Sequence, residues 1–265
     1  MSEDVYSHGH HPSVTTMHAT RTVEDSAAYL VPHLTSGMDV LDVGCGPGSI
    51  TTGFAALVAP GTVTGIDRSA DVVAQASAAY ASVRNAVFTE GNIYDLDFPD
   101  ETFDVVHAHQ VLQHLTDPVA ALREMRRVLR PGGVVAVRDA DFHAMTWFPS
   151  SPALTEWMEL YQRLARGNNA EPDGGRHLLS WAQEAGFTET EVSTSSWIYA
   201  TDDRRRFHAE SWAERVLHSG FAEQALERGL AERKDLERLA EGWRTWGRAP
   251  DGLFLIPSIE VLARA

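Results

Sequence analysis

The chain has 265 residues, 43% of them hydrophobic and 22% charged, the proportions of a packed globular protein and unlike those of disordered or fibrous chains. Twenty-two Lys and Arg against 37 Asp and Glu leave a formal charge of −15, which repels phosphate backbones and argues against a nucleic-acid partner. Cys45 is the only cysteine, so no intrachain disulfide can form, and a reducing, cytoplasmic setting is expected.

The opening MSEDVYSHGHHPSV has acids where a signal peptide needs bases and lacks an apolar run, so secretion is not expected. If residues 15–31 are helical, His18 and Arg21 share one helix face. DVLDV (39–43) is short, apolar and β-branched and ends at the cluster GCGPG, as a buried strand would. Residues 43–66 carry no charge, but their six Gly and two Pro read as strand, loop, helix and strand rather than a membrane span. A helix is expected over 49–58, a strand over 62–66, and a helix over 71–80 capped by Ser69. Strands over 86–90 and 103–109, a helix over 118–129 with Pro118 in its first turn, the break RPGG and a strand over 134–139 continue the alternation.

Strands separated by helices of this length predict a doubly wound α/β fold with a mostly parallel sheet and right-handed crossovers. Beyond Asp139 the alternation fails. Helices are expected near 153–166, over 176–185 and through the charged stretch 202–246, and strands over 188–199 and 253–263, the last two forming an antiparallel edge. We divide a single domain into an N-terminal lid segment (1–36), a ligand-binding half (37–140), helical insertions on the substrate side (141–252) and a last strand (253–265).

In such sheets ligands bind at the carboxyl ends of the strands, beside the point where strand order reverses. Gly44, Gly46 and Gly48 let the backbone turn tightly and approach a ligand. A dinucleotide fingerprint needs a third glycine in the G-x-G-x-x-G register, and position 49 is Ser. Asp67, at the end of the second strand, is placed to accept hydrogen bonds from both hydroxyls of an adenosine ribose.

The segments VLDVGCGPGSIT, VTGID, GNIYDLDFPDETFDVV and LREMRRVLRPGG resemble, in order and spacing, the successive motifs of class I S-adenosylmethionine-dependent methyltransferases, most closely the ubiquinone and menaquinone biosynthesis type. The resemblance covers roughly residues 37–140. It implies a Rossmann-like methyltransferase fold that uses S-adenosylmethionine and leaves S-adenosylhomocysteine. Gly44, Gly46 and Gly48 would line the methionine moiety, Asp67 would hold the ribose, Arg68 would lie along the adenine, and Asn92 and Ile93 would frame its other side. The family usually has Asp where this chain has Asn92, whose amide oxygen can still accept a hydrogen bond.

Twelve histidines are unusual. His8, His10 and His11 have no acidic or cysteine partner at ligand spacing, so no metal is expected. His107 should lie within its strand, whereas His109 should reach the carboxyl end, near the reacting methyl group. A group titrating near neutrality suits a general base, which makes His109 the leading catalytic candidate, followed by His114 and Asp141. Arg21, in a lid, could pair with the methionine carboxylate. Trp147, Phe148, Trp157, Tyr161, Trp197, Tyr199 and Trp212 fall in the insertion and later segments, and those not in the core would give an apolar or aromatic acceptor pocket. The sequence therefore points to methyl transfer onto a small-molecule acceptor, with no nucleic acid or membrane as partner and a homodimer compatible. A nicotinamide-dependent oxidoreductase and a non-catalytic S-adenosylmethionine-binding protein are the alternatives. The Asp/Asn-Pro-Pro-aromatic motif of nucleic-acid amino-methylating enzymes is replaced here by HAHQ, and one cysteine is too few for arsenite methylation.

Overall fold

The computed structural model describes residue 4 and residues 17–264. His8, His10 and His11 lie outside the described residues. Among the described residues, eight strands make one sheet. β1 (Val40–Val43) is central and pairs in parallel with β2 (Val63–Asp67) on one side and β4 (Phe103–His109) on the other. β3 (Ala86–Glu90) continues beyond β2, and β5 (Leu129–Ala140) beyond β4, both parallel. The chain moves outward from β1 to β3 and then returns to β4, so the order reverses between β1 and β4.

The last strand, β8 (Leu253–Arg264), runs antiparallel beside β5 and is itself paired along its length with β7 (Glu189–Tyr199). Because Glu260 pairs with both Arg138 and Ser193, β8 lies between β5 and β7 and supplies the antiparallel part of the sheet. The short β6 (Thr146–Phe148) pairs with residues 253–255 of β8, on the flank that β5 leaves free.

Sequence sets the helix boundaries where capping chemistry is present. α1 (Val23–Ser26) starts at a Thr22 and Asp25 capping box, and α3 (Ala70–Ala79) at the Ser69 side chain. Asp117 caps α4 (Pro118–Arg127) and Ser151 caps α5 (Pro152–Gly167), each with proline at the first helical position. By contrast α2 (Ser49–Val58) follows Gly48 with no side-chain cap, which leaves its first-turn N–H groups at the glycine loop. α6 (Leu178–Glu184) precedes β7, and α7 (Asp202–His218), α8 (Gly220–Glu227) and α9 (Arg233–Gly247) fill the stretch before β8.

Several boundaries differ from the sequence expectation. Residues 15–31 are not one helix, because the Thr22 capping box restarts the chain at Val23. The stretch 202–246 is three helices, interrupted by extended Ser219 and by Gly229 at φ 62°. RPGG does not end the strand pairing but forms a bulge inside β5, where the register with β4 shifts between Phe103 and Val105.

Two apolar layers cover the sheet, one including α1 and α2, the other α4 and α6. A third cluster belongs to the substrate-side helices, where Trp157, Trp212 and Trp243 meet edge to face and stacked over Phe254 of β8. This cluster fixes α5, α7 and α9 over the carboxyl end of the sheet. Trp243 is fully buried at its centre, so Trp243→Ala should lower the unfolding free energy by about 3–5 kcal/mol, measured by urea denaturation. A loss well below that would mean that the cluster is not a packed unit.

Candidate active site

The loop after β1 is built from left-handed backbone. Gly44, Gly46 and Gly48 have φ of 67°, 53° and 86°, values that cost other residues free energy. A Cβ on Gly44 would come within 2.4 Å of Val111, and one on Gly48 within 2.7 Å of the Phe88 ring. On Gly46 it would meet nothing within 4 Å. A cavity opens beside this loop, bounded also by His18, Arg21, Ser49 and His109. Asp67 is tied to the loop: its carboxylate accepts from the Gly46 N–H at 3.1 Å and from the Ser69 N–H at 3.0 Å.

The residues beyond β2 and β3 surround a neighbouring position. Asn92 turns its amide oxygen to the Tyr94 N–H at 3.1 Å, while Ile93 is buried against the sheet. The Arg68 guanidinium donates to the Asp4 carbonyl at 2.6 Å. Asp4 also accepts from the Tyr94 hydroxyl and the Thr116 N–H, so this residue bridges these loops. Nothing in the sequence marked Asp4.

At the carboxyl end of β4, His109 is 6% exposed, and its Nδ1 lies 3.5 Å from Nη1 of the fully buried Arg138. Arg138 and Arg21 both lie over the Trp197 ring, at 4.8 and 5.1 Å from its centroid. Trp197 in turn donates to the Asp25 carbonyl and meets His109 edge-on, and Arg21 donates to Gln110 at 2.7 Å. His18 and Arg21 thus converge on one cavity although no continuous helix joins them. Ser195 and Glu260 hold the other side of Arg138. His107, deeper in the strand, is paired at 2.7 Å with Asp42, which also takes the Thr51 hydroxyl.

These surroundings change the chemistry expected of His109. Burial foremost, then the charges of Arg21 and Arg138, hold its protonation well below the ordinary 6.5. The imidazole is therefore neutral at physiological pH, and the expectation of titration near 7 is corrected. Burial and Arg21 likewise push His114 down to about 4. The carboxylate of Asp141 is held by Arg176 through two hydrogen bonds, at 2.6 and 2.7 Å, and caps the turn at Ala144.

A second cavity adjoins the first, sharing His18 and Arg21 with it. Trp197, Tyr199, Trp212, Phe142 and Met145 give it an aromatic and apolar wall. Trp157 and Tyr161 lie in the helical core, Trp147 stacks on Phe254, and Phe148 is largely exposed. Sequence reasoning passed over His208 and Arg215, which also line this cavity, because neither belongs to a recognised motif.

The glycine loop, the carboxylate after β2 and the reversal of strand order at β1 and β4 stand together at one end of the sheet. Residues 34–186 match the family model described as "Methyltransferase domain", and the chain belongs to that family. It is similar to an uncharacterised methyltransferase of Schizosaccharomyces pombe, 35% identical over 97% of this chain and 95% of that protein. It is also similar to the demethylmenaquinone methyltransferase of Staphylococcus aureus, 36% identical over 47% of this chain and 50% of the other. Among solved structures, a phosphoethanolamine N-methyltransferase of Haemonchus contortus in complex with S-adenosylhomocysteine shares the fold, with a TM-score of 0.55, 21% identity and coverage of 87% of this chain and 49% of that one. The protein is accordingly a methyltransferase.

Asp139 makes one property of this region measurable. Burial pushes its carboxyl up to about 7, against the backbone N–H groups of residues 111–113, which favour the ionised form. The folded chain keeps this proton up to about pH 7, whereas the unfolded chain releases it near the ordinary 3.8. Stability from this group is therefore full below that value and is lost as pH rises from about 4 to about 7. Asp139→Asn should remove the slope in unfolding free energy across that window, and parallel curves for the two proteins would contradict the assignment.

Proposed function

We propose that the chain transfers a methyl group from S-adenosylmethionine to an apolar or aromatic small molecule, with the donor in the cavity beside Gly46 and the acceptor in the adjoining one. The observation that carries this reading is the loop itself. Three left-handed glycines leave open space where a Cβ at Gly46 would stand, and the Asp67 carboxylate is fixed by backbone donors beside it. The residues present fit the donor: Gly44, Gly46 and Gly48 for the methionine moiety, Asp67 for the ribose, and Arg68, Asn92 and Ile93 for the adenine. Bound there, the sulfonium supplies an electrophilic methyl carbon.

The task left to the chain is to align the acceptor and keep water out. His109 is suited to the first. With Nδ1 facing an Arg138 N–H, the ring proton resides on Nε2, which has no partner among the described residues. A neutral imidazole in this tautomer donates to a ligand oxygen and orients it. Arg21 is suited to the second task. Its contacts with Gln110 and Trp197 pin the segment before α1 across both cavities, and we assign it the methionine carboxylate and the segment the role of a lid. Asp141, committed to Arg176, and His114 are assigned to building the site rather than to proton transfer. No helix among the described residues is long and apolar enough to cross a membrane, and with one cysteine we place the protein in a reducing compartment.

Asp67→Ala should weaken S-adenosylhomocysteine binding by about 1.5–3 kcal/mol, the scale of lost hydrogen bonds to a charged group. An unchanged dissociation constant would remove Asp67 from the site. His109→Asn should lower turnover about a hundredfold with little change in cofactor affinity, while the wild-type rate shows no inflection between about pH 6 and 7. An inflection there that vanishes in the variant would restore a titrating base. Arg21→Ala should raise both the cofactor dissociation constant and the hydrogen exchange of residues 17–30, and a variant equal to wild type in both would remove the lid.

A further inference from the structure

We infer that the methyl acceptor is an aromatic acid, its carboxylate held by Arg215 with His208 beside it. This deepens the reading above and rests on it.

The first ground is the charge lining the acceptor cavity. In a chain where 37 acids outnumber 22 Lys and Arg, the described residues around this cavity include Arg21, Arg215 and three histidines, and no Asp or Glu. Arg21 reaches toward the glycine loop and is engaged with Gln110. Arg215 belongs to the acceptor cavity alone among the cavities described, is only 5% exposed, and has its guanidinium 5.0 Å from the centroid of the Trp212 ring. A guanidinium in a low-dielectric wall attracts an anion far more strongly than one in water, and its planar fork matches a carboxylate.

The second ground is independent of charge. His208 is 2% exposed, its ring is stacked on Tyr199 at 3.8 Å, and neither ring nitrogen has a hydrogen-bond partner among the described residues. Buried polar nitrogens normally have partners, and an imidazole surrounded by Tyr199, Trp243 and Phe254 can find one only in the cavity it lines. Burial, with Arg215 and Arg204 nearby, keeps this imidazole neutral. One nitrogen therefore donates, and together with the Arg215 guanidinium it offers donors for an anionic oxygen. The third ground is shape. Phe142, Met145, Trp212 and Ile256 form an apolar wall of this cavity, the kind of surface on which an aromatic ring lies.

The test is calorimetry on the full chain saturated with S-adenosylhomocysteine, using 2-naphthoate and hydroxy-2-naphthoates as probes against the matching 2-naphthamides. The acids should bind about tenfold or more tightly than the amides, as expected when a charge-assisted hydrogen bond is lost. Arg215→Met and His208→Phe should each erase most of that preference, Arg215→Lys should retain part of it, and all three should bind S-adenosylhomocysteine as wild type does, which also shows that they are folded. Amides that bind as well as acids, acids that do not saturate the complex, or a preference that survives in both Arg215→Met and His208→Phe would overturn the assignment while leaving cofactor binding intact. Failure of the wild type to bind S-adenosylhomocysteine would instead overturn the underlying methyltransferase reading of the site, and this assignment with it.

Discussion

The left-handed backbone at Gly44, Gly46 and Gly48 is the constraint on which the rest of this site depends. It turns the chain from β1 into α2 within a few residues, so that the uncapped start of α2 and the end of β1 face the same cavity. Packing enforces it at two of the three positions, where Val111 and the Phe88 ring leave no room for a Cβ. At the third, the open space belongs to the cavity. Asp67 is then fixed by the Gly46 N–H, so the carboxylate and the loop form one rigid unit.

A band of buried polar groups crosses the sheet next to this loop. Thr51, Asp42 and His107 join α2, β1 and β4, and His109, Arg138 and Glu260 join β4, β5 and β8, with Ser193 and Ser195 of β7 bonded to Glu260. Such groups add little net stability, but removing one member strands its partner in a low-dielectric interior. Their effect is specificity: each strand is held in one register and each imidazole in one orientation. Trp197 couples this band to the N-terminal segment, because Arg21, Arg138 and the Asp25 carbonyl all engage its ring.

Much of the fold was legible because its signals are local. The strand 103–109 and the helix 49–58 match the sequence reading residue for residue, since a short apolar run bounded by breaks and a glycine cluster carry their own boundaries. Ser69 and Pro118 act as expected. The glycine loop and Asp67 were legible for the same reason. What failed to show was set by distant chain. The strand position of His109 was visible, but its lowered protonation comes from burial and from guanidinium groups on β5 and the N-terminal segment. Asp141 looked available until Arg176 was brought onto it. His208 and Arg215 sit in a charged helix whose periodicity gave no reason to separate two cavity-lining residues from their solvated neighbours.

The account stands or falls on what occupies the cavity beside Gly46. Calorimetric titration of the purified wild-type chain with S-adenosylhomocysteine, and separately with NAD, addresses this most directly. The account predicts one site per chain for S-adenosylhomocysteine, no measurable NAD binding at the same concentrations, and competition of S-adenosylmethionine for that site. Tighter binding of NAD, or no binding of S-adenosylhomocysteine, would contradict it.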